Sequence, residues 1–275
     1  MFENKKVIIA TKHGKEKIFK KVLQNTLKGE YFAPNDFDTD QFGSFSGEIE
    51  RTKSAKETVK QKCLAAIKKY NLDFALASEG SFGNHPLYYF TAYNEEWVVL
   101  IDLKNELEIY GVNRTTDVCY EKKIIGNWDE LNQFLIQIDF PKQNVIVKSK
   151  DEEGEIICKN AQNYQELNRN ILKSKVKFPL CIETDLRAMH NPKRQKSIEK
   201  AVENLLENIL SICPKCNTPG FVITQTQSGL PCISCGLPTK SIAYTIKECK
   251  KCNYKLTEKV NKQYEDPQFC DFCNP

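Results

Sequence analysis

The chain has 275 residues, of which 40% are hydrophobic and 28% charged, enough for one core domain of about 190 residues and a small second module. No stretch is apolar over the length a bilayer crossing needs, and the opening MFENKKVIIATK lacks the apolar run of a secretory signal; a cytoplasmic protein with no membrane partner is expected. The formal charge of +4 is only mildly basic.

KVIIA at residues 6 to 10 is a short buried-strand signal, followed by the polar turn TKHGKEK and the amphipathic run IFKKVLQNTL. Strand, turn and helix are predicted. Residues 31 to 51 are rich in Asp, Gly and Ser and read as a loop, lid or binding segment. From Ser54 to Tyr70, the positions Val59, Cys63, Ala66 and Ile67 fall at helical spacing, with Asn71 as the stop signal. DFALASEG is a second buried strand, running into a tight turn at SFGNHP with Gly80, Gly83 and Pro86. LYYFTAYN, EWVVLIDL and ELEIYGV then suggest consecutive antiparallel strands.

Residues 127 to 137 look helical, VIVKSKDEEGEIICK is a hairpin with its turn at Glu152 to Gly154, and a helix near 161 to 173 precedes a strand at FPLCIE. Asn191 and Pro192 form a helix start, since Asn caps well and Pro is tolerated in the first turn. Ile198, Val202, Leu205, Ile209 and Ile212 stripe that helix. The fold expected is a mixed-sheet α/β (or α+β) domain over 1–190, an amphipathic connecting helix over 191–212, and a small double zinc ribbon over 213–275.

Four CxxC pairs carry the strongest chemical signal: Cys213/Cys216, Cys232/Cys235, Cys249/Cys252 and Cys270/Cys273. Each presents two thiolates from a tight turn, and 15 and 17 residues separate the first from the second and the third from the fourth, the spacing of two four-cysteine zinc ribbons. Asn217, Gly236, Asn253 and Asn274 follow the pairs; Asn and Gly most easily take the left-handed backbone that turns N–H groups toward thiolates. A redox CxxC would sit beside a βαβ pattern and would not recur four times. Chain order favours sequential pairing, two pairs per zinc, with an interleaved cross-brace as the alternative.

Two structural Zn2+ ions are expected, because four thiolates close the tetrahedron and leave no position for water. Each such centre carries a net double negative charge, which brings the whole chain to about neutral. Residues 213 to 275 hold eight Lys, no Arg and five acidic residues, so the metallated module is slightly acidic and poorly equipped for phosphate neutralisation or base reading.

Among candidates in the larger domain, Glu79 stands at the end of a strand ahead of Gly80, where open α/β sheets face their ligands. Thr11, Lys12, His13 and Lys15 follow the first strand and can meet phosphates at a helix N-terminus. Asp185, Arg187 and Arg194 surround the start of the capped helix and can hold the fold together or grip an anion. His85, a lone histidine in a turn, is a further ligand candidate. Asp36, Asp38 and Asp40 alternate, but Gln41 and Gly47 stand where an EF-hand needs Gly and Glu. Cys63, Cys119, Cys158 and Cys181 read as small core residues.

ASEGSFGNHP, ETDLRA with NPKR, GLPCISCGLPT and the terminal FCDFCNP together resemble a bacterial family of unknown function, which implies an α/β domain joined to zinc ribbons. The order of elements is also similar to the inosine triphosphate pyrophosphatase fold and its relative, the inosine/xanthosine triphosphatase. IIATKHGKEK matches that family's phosphate turn through Ala10, Thr11 and Lys15; ETVKQKC keeps the spacing of its magnesium helix with Glu57 and Lys62; Ser78, Glu79 and Gly80 match its acidic turn. Thr184, Asp185 and Arg194 echo its later motifs. His13 replaces an Asn, the first turn is one residue short, Thr58 replaces a second Asn, and one acid stands where the pyrophosphatase has two.

The resemblance implies Mg2+-assisted hydrolysis of a phosphoanhydride, with Glu57 and Glu79 holding the metal and Lys15 and Lys62 neutralising developing charge. The partner implied is a nucleotide or other phosphorylated small molecule. The alternative is a non-catalytic adaptor whose ribbons bind protein or nucleic acid.

Overall fold

The apolar runs choose the strands of the first sheet. KVIIA forms β1 (Lys6–Ala10), α1 (Glu16–Leu27) follows, and β2 (Glu30–Phe32) pairs parallel to β1. The computed structural model describes residues 5–12, 14–43, 52–149 and 154–275. The chain divides into two compact units, 1–206 and 207–275, and no helix among the described residues is long and apolar enough to cross a membrane.

Helix α2 (Ala55–Tyr70) opens with a capping box between Ser54 and Glu57 and closes on Asn71 in the left-handed conformation, so both end signals act as the sequence indicates. Strands β3 (Phe74–Asn84), β4 (Ala92–Asp102) and β5 (Leu107–Thr115) complete a sheet of order β2-β1-β3-β4-β5. β1 is parallel to both neighbours, and β3, β4 and β5 run antiparallel. The core packed against this sheet includes Ile8, Ala10, Ala75, Ala77 and Val99 with Val59, Cys63 and Ala66 of α2.

β6 (Lys122–Ile125), α3 (Trp128–Gln137), β7 (Val145–Ser149), β8 (Ile156–Cys158), α4 (Tyr164–Ser174) and β9 (Leu180–Thr184) build a second sheet of order β6-β9-β7-β8. Leu131, Phe134 and Leu135 of α3 and Leu167 and Ile171 of α4 cover it. Cys63, Cys158 and Cys181 are buried as core residues, and Cys119 is half-buried. The helix predicted after Asn191 is α5 (Pro192–Leu210), with Asn191 Oδ1 accepting from the Arg194 N–H at 2.9 Å. Its buried stripe includes Ile198, Val202, Leu205 and Ile209, each contributing roughly 1.5–3 kcal/mol by burial; Ile212 lies beyond the helix and is 45% exposed.

Three local expectations change. β3 does not stop at Gly80 but continues through the predicted turn to Asn84, paired residue by residue with β4. LYYF is not a strand: it is the exposed tip of that hairpin, and Phe90 is fully exposed. His85 fixes the tip, its Nδ1 accepting from the N–H groups of Leu87 and Tyr88, both at 3.1 Å. β6 was not apparent in sequence because KKII offers too short an apolar run. The β7–β8 hairpin forms, while residues 150–153 of its turn lie outside the described residues, as do 44–51 of the predicted loop.

Gly111 of β5 lets α5 approach the sheet. A Cβ there would stand 2.3 Å from the Ala201 carbonyl oxygen and 2.4 Å from the Leu205 nitrogen, backbone atoms that cannot swing away. Gly111→Ala is therefore expected to destabilise the first unit by about 2–3 kcal/mol, read as a lower midpoint in urea; an unchanged midpoint would mean that α5 is not seated this closely.

Candidate functional site

The last register pair between β1 and β3 is Ala10 with Ala77. Beyond it β1 turns into α1 while β3 runs on to Asn84. β1 is also where the chain reverses direction across the sheet, since β2 lies on one side of it and β3 on the other. Open α/β sheets place ligands outside such a switch point, at the carboxyl ends of the strands.

Ionisable side chains crowd this point. Lys15 Nζ donates to Ser78 Oγ at 3.1 Å, and Lys62 Nζ pairs with Glu79 Oε2. Ser78 and Glu79 are neighbours on β3 and so face opposite sides of the sheet. Arg194, in the first turn of α5, pairs through Nε with Glu96 Oε1 at 2.5 Å and donates through Nη1 to the Leu186 carbonyl at 2.5 Å. Gly80 lies opposite Glu96 in the β3–β4 register. A Cβ on Gly80 would fall 2.2 Å from Glu96 Oε1 and 2.7 Å from Arg194 Nη2, so the glycine makes room for the ion pair.

All five charged residues are buried, three cations against two carboxylates. Burial, with the nearby Arg194 guanidinium adding to it, brings the Lys15 ammonium from 10.5 down to about 7. Burial pushes the Glu79 carboxyl up, but Lys62 and Lys15 more than reverse this and hold it below the ordinary carboxylate value. Glu96 Oε2 is buried with no hydrogen-bond partner among the described residues, which leaves an acceptor position at the centre of the cluster.

Of the residues predicted for this site, Lys15, Lys62, Glu79, Gly80 and Arg194 come together, beside Thr11 at the end of β1. Glu57 does not join them: it is exposed, and its carboxylate accepts from the Ser54 N–H at 3.1 Å and the Ser54 hydroxyl at 2.6 Å, as the N3 residue of a capping box. His85 organises the hairpin tip instead. Asp185 and Arg187 grip each other, Nη2 to Oδ2 at 2.5 Å, and Arg187 also holds Asn160 at 2.6 Å, a local brace at the end of β9. His13 lies outside the described residues. Glu96 is not among the residues the sequence singles out; a carboxylate on the strand leading into WVVLID was the available signal.

The acidic loop after β2 is tied down. Lys12 Nζ meets Asp38 Oδ1 at 3.0 Å and Asp40 Oδ2 at 2.9 Å, and Lys69 meets Asp36 at 2.9 Å. These aspartates have lysine partners and form no cation loop. The donor set implied for Mg2+ does not fit either: Glu57 is committed to its cap and Glu79 to Lys62, and no carboxylate group of three or more able to hold a metal occurs among the described residues.

In the second unit the eight cysteines of the CxxC pairs form two groups. Cys213, Cys216, Cys249 and Cys252 make one, and Cys232, Cys235, Cys270 and Cys273 the other, each with sulfurs within 4.8 Å of one another. The first pair thus meets the third and the second the fourth, against the expected sequential pairing. The reason is a meander of β10 (Val222–Ser228), β11 (Ile242–Glu248) and β12 (Lys255–Lys259), paired antiparallel in that order. The seven-residue β10 and β11 each span roughly 20 Å and the five-residue β12 somewhat less, so successive pairs are carried to alternate ends.

The sulfurs fit a tetrahedral dication. Tetrahedral bonds of about 2.3 Å set sulfurs about 3.8 Å apart; Cys213 to Cys252 is 3.7 Å, Cys216 to Cys249 3.5 Å, Cys232 to Cys273 3.9 Å and Cys235 to Cys270 3.7 Å. Asn217, Gly236 and Asn253 are left-handed at φ 58°, 74° and 57°, as predicted. Asn274 donates its N–H to the Cys270 carbonyl like the others to theirs but is not left-handed. The Cys216 thiol is held down to about 6 by hydrogen bonds with Thr218, whereas Cys273, in contact with Cys235, is pushed up to about 12. The apolar support is small: Phe221 stacks on Tyr254 at 5.8 Å beside Cys213 and Cys249.

These features define a class: a mixed α/β unit with a buried charge cluster at its switch point, followed by a cross-braced module of two four-cysteine groups. The family model for a domain of unknown function, DUF6671, matches residues 62–275, and the chain belongs to that family. The curated proteins contain no match. Among solved structures, protein VC0702 from Vibrio cholerae is similar at 9% identity and a TM-score of 0.35, over 76% of this chain and 96% of that one.

The interleaving has a direct chemical readout. In a Cys213→Ser/Cys216→Ser double variant, Cys249 and Cys252 should become reactive to iodoacetamide while Cys232, Cys235, Cys270 and Cys273 stay protected, scored by peptide mass spectrometry. Reaction at Cys232 and Cys235 with Cys249 and Cys252 still protected would restore the sequential arrangement.

Proposed function

We propose that the first unit binds a phosphorylated small molecule, nucleotides included, at the switch point, and that two zinc ions fold the second unit. The observation that carries the first part is the set of buried basic side chains near the β1–α1 turn: Lys15 donates to the Ser78 hydroxyl, Lys62 pairs with Glu79 and Arg194 pairs with Glu96. The cluster has three basic side chains to two carboxylates. A phosphate group supplies further negative charge and several acceptor oxygens at once. Thr11 and the first turn of α1, which has no side-chain cap, add a favourable helix end.

Zinc is favoured for the cysteine groups by the thiolate donor set and the near-tetrahedral sulfur spacing. Both centres have all four positions filled by sulfur, so their role is structural. Hydrolysis would require a Mg2+ that arrives with the ligand, because no carboxylate group of three or more able to hold it occurs among the described residues.

The pH dependence tests the anion site. Lys15 carries its proton below about 7 and loses it above, so affinity for tripolyphosphate measured by calorimetry should fall as pH rises through 7. In Lys15→Met that added pH dependence should vanish and affinity should drop about tenfold or more, the equivalent of one charge-assisted hydrogen bond. No binding by the wild type at any pH would reject the reading.

Elemental analysis should find about two zinc ions per chain, and chelation should unfold the second unit, followed by loss of its strand signal and by trypsin cleavage within 213–275. A metal-free protein protected from trypsin there would exclude a metal-dependent fold.

A further inference from the structure

A cleft of about 370 Å³ opens beside the β1–α1 turn, lined by Thr11, Lys12 and Gly14 on one side and by Phe32, Pro34 and Asn35 on the other. We propose that it receives the planar ring of a nucleoside phosphate, its face against Phe32 and Pro34 and its edge toward Asn35, with the phosphates over the turn. This rests on the phosphate reading above and names the ligand class and the residues that would select it.

The cleft is preformed. Its far wall, the segment after β2, is anchored at three points: Lys12 bridges Asp38 and Asp40, at 3.0 and 2.9 Å; Tyr70 Oη donates to Asp36 Oδ1 at 2.6 Å; and the Phe37 ring is buried against Phe42 and Tyr70, at centroid separations of 6.5 and 6.2 Å. A wall held this way adds little ordering entropy to binding. Phe32 packs partly on the core but, unlike its neighbour Phe37, stays half-buried beside the cleft.

The chemistry of the two sides differs. The turn side is polar, with Lys12 and Lys20 beside the carboxylate residue Glu16, and Gly14 at φ 73° keeps the backbone close and free of a side chain, as phosphate approach requires. The far side offers an aromatic ring, a proline ring and one amide able to donate and accept. Aromatic faces with a single amide suit a heterocycle, which stacks on any π-face and is read at its edge by hydrogen bonds. A volume near 370 Å³ is of nucleoside size and exceeds what a bare phosphate needs.

Calorimetry against tripolyphosphate and a panel of ATP, GTP, ITP, CTP and UTP tests this. At least one nucleotide should bind about tenfold or more tightly than tripolyphosphate, in line with one stacked base. Phe32→Ala and Asn35→Ala should remove that advantage and leave tripolyphosphate binding unchanged, which also shows that the variants fold. 8-Azido-ATP should photolabel the tryptic peptide that begins at Gly29. If tripolyphosphate binds and no nucleotide gains over it, or the label falls on other peptides, the subsite is refuted while the phosphate reading stands. If neither tripolyphosphate nor any nucleotide binds, both fall.

Discussion

The early end of β1 is the constraint on which the first unit turns. Because β1 leaves the sheet at Ala10 and β3 continues for seven residues, a stretch of β3 has β4 on one side and the β1–α1 turn on the other. Side chains from the β1–α1 turn, α2, β4 and α5 fill that space, Lys15, Lys62, Glu96 and Arg194 among them. Burying charge is unfavourable by several kcal/mol per ion unless the geometry of each pair is good, so the residues that shape the pairs matter as much as the ions. Gly80 is one such residue, through the room it leaves for Arg194 and Glu96. The Asn191 cap is another, since it sets the helix turn from which Arg194 reaches inward.

The second unit meets the opposite problem. Its three strands are mostly exposed, and its buried side chains are few and include Phe221, Leu230, Ala243 and four of the cysteines. A module of this size cannot reach stability on so small an apolar core. The two sulfur groups stand at opposite ends of the meander, so each metal would join a strand end to a knuckle far away in sequence. Interleaving therefore closes longer loops than sequential pairing would, and it restricts the unfolded chain more.

Much of this was legible in the sequence, for identifiable reasons. Helix α2 could be bounded at both ends because Ser54, Glu57 and Asn71 are each strong local signals. The same residue carries two readings: the Glu57 that matches a magnesium motif by spacing is the Glu57 that completes a capping box. The knuckle residues Asn217, Gly236 and Asn253 announced left-handed turns because only a few residue types adopt them at low strain. Pairing of the knuckles was not legible, since it depends on strand lengths and on the meander, which no spacing between cysteines records. Glu96 escaped for a related reason: its partner Arg194 is 98 residues away, and nothing local to either residue points to the other.

The two units share one electrostatic logic with opposite signs. In the first, three buried cations face two carboxylates, and the protein lowers the imbalance by letting Lys15 give up its proton near neutral pH. In the second, four cysteine sulfurs crowd each centre within 4.8 Å of one another, which disfavours four thiolates with no cation between them. A group that adjusts its own protonation to survive burial is also one that responds to an added charge, because a counter-ion returns it to its ordinary state and recovers the free energy of the shift. An anion would do this for Lys15 and a dication for the thiolates, so the crowding in each unit favours a ligand of one sign.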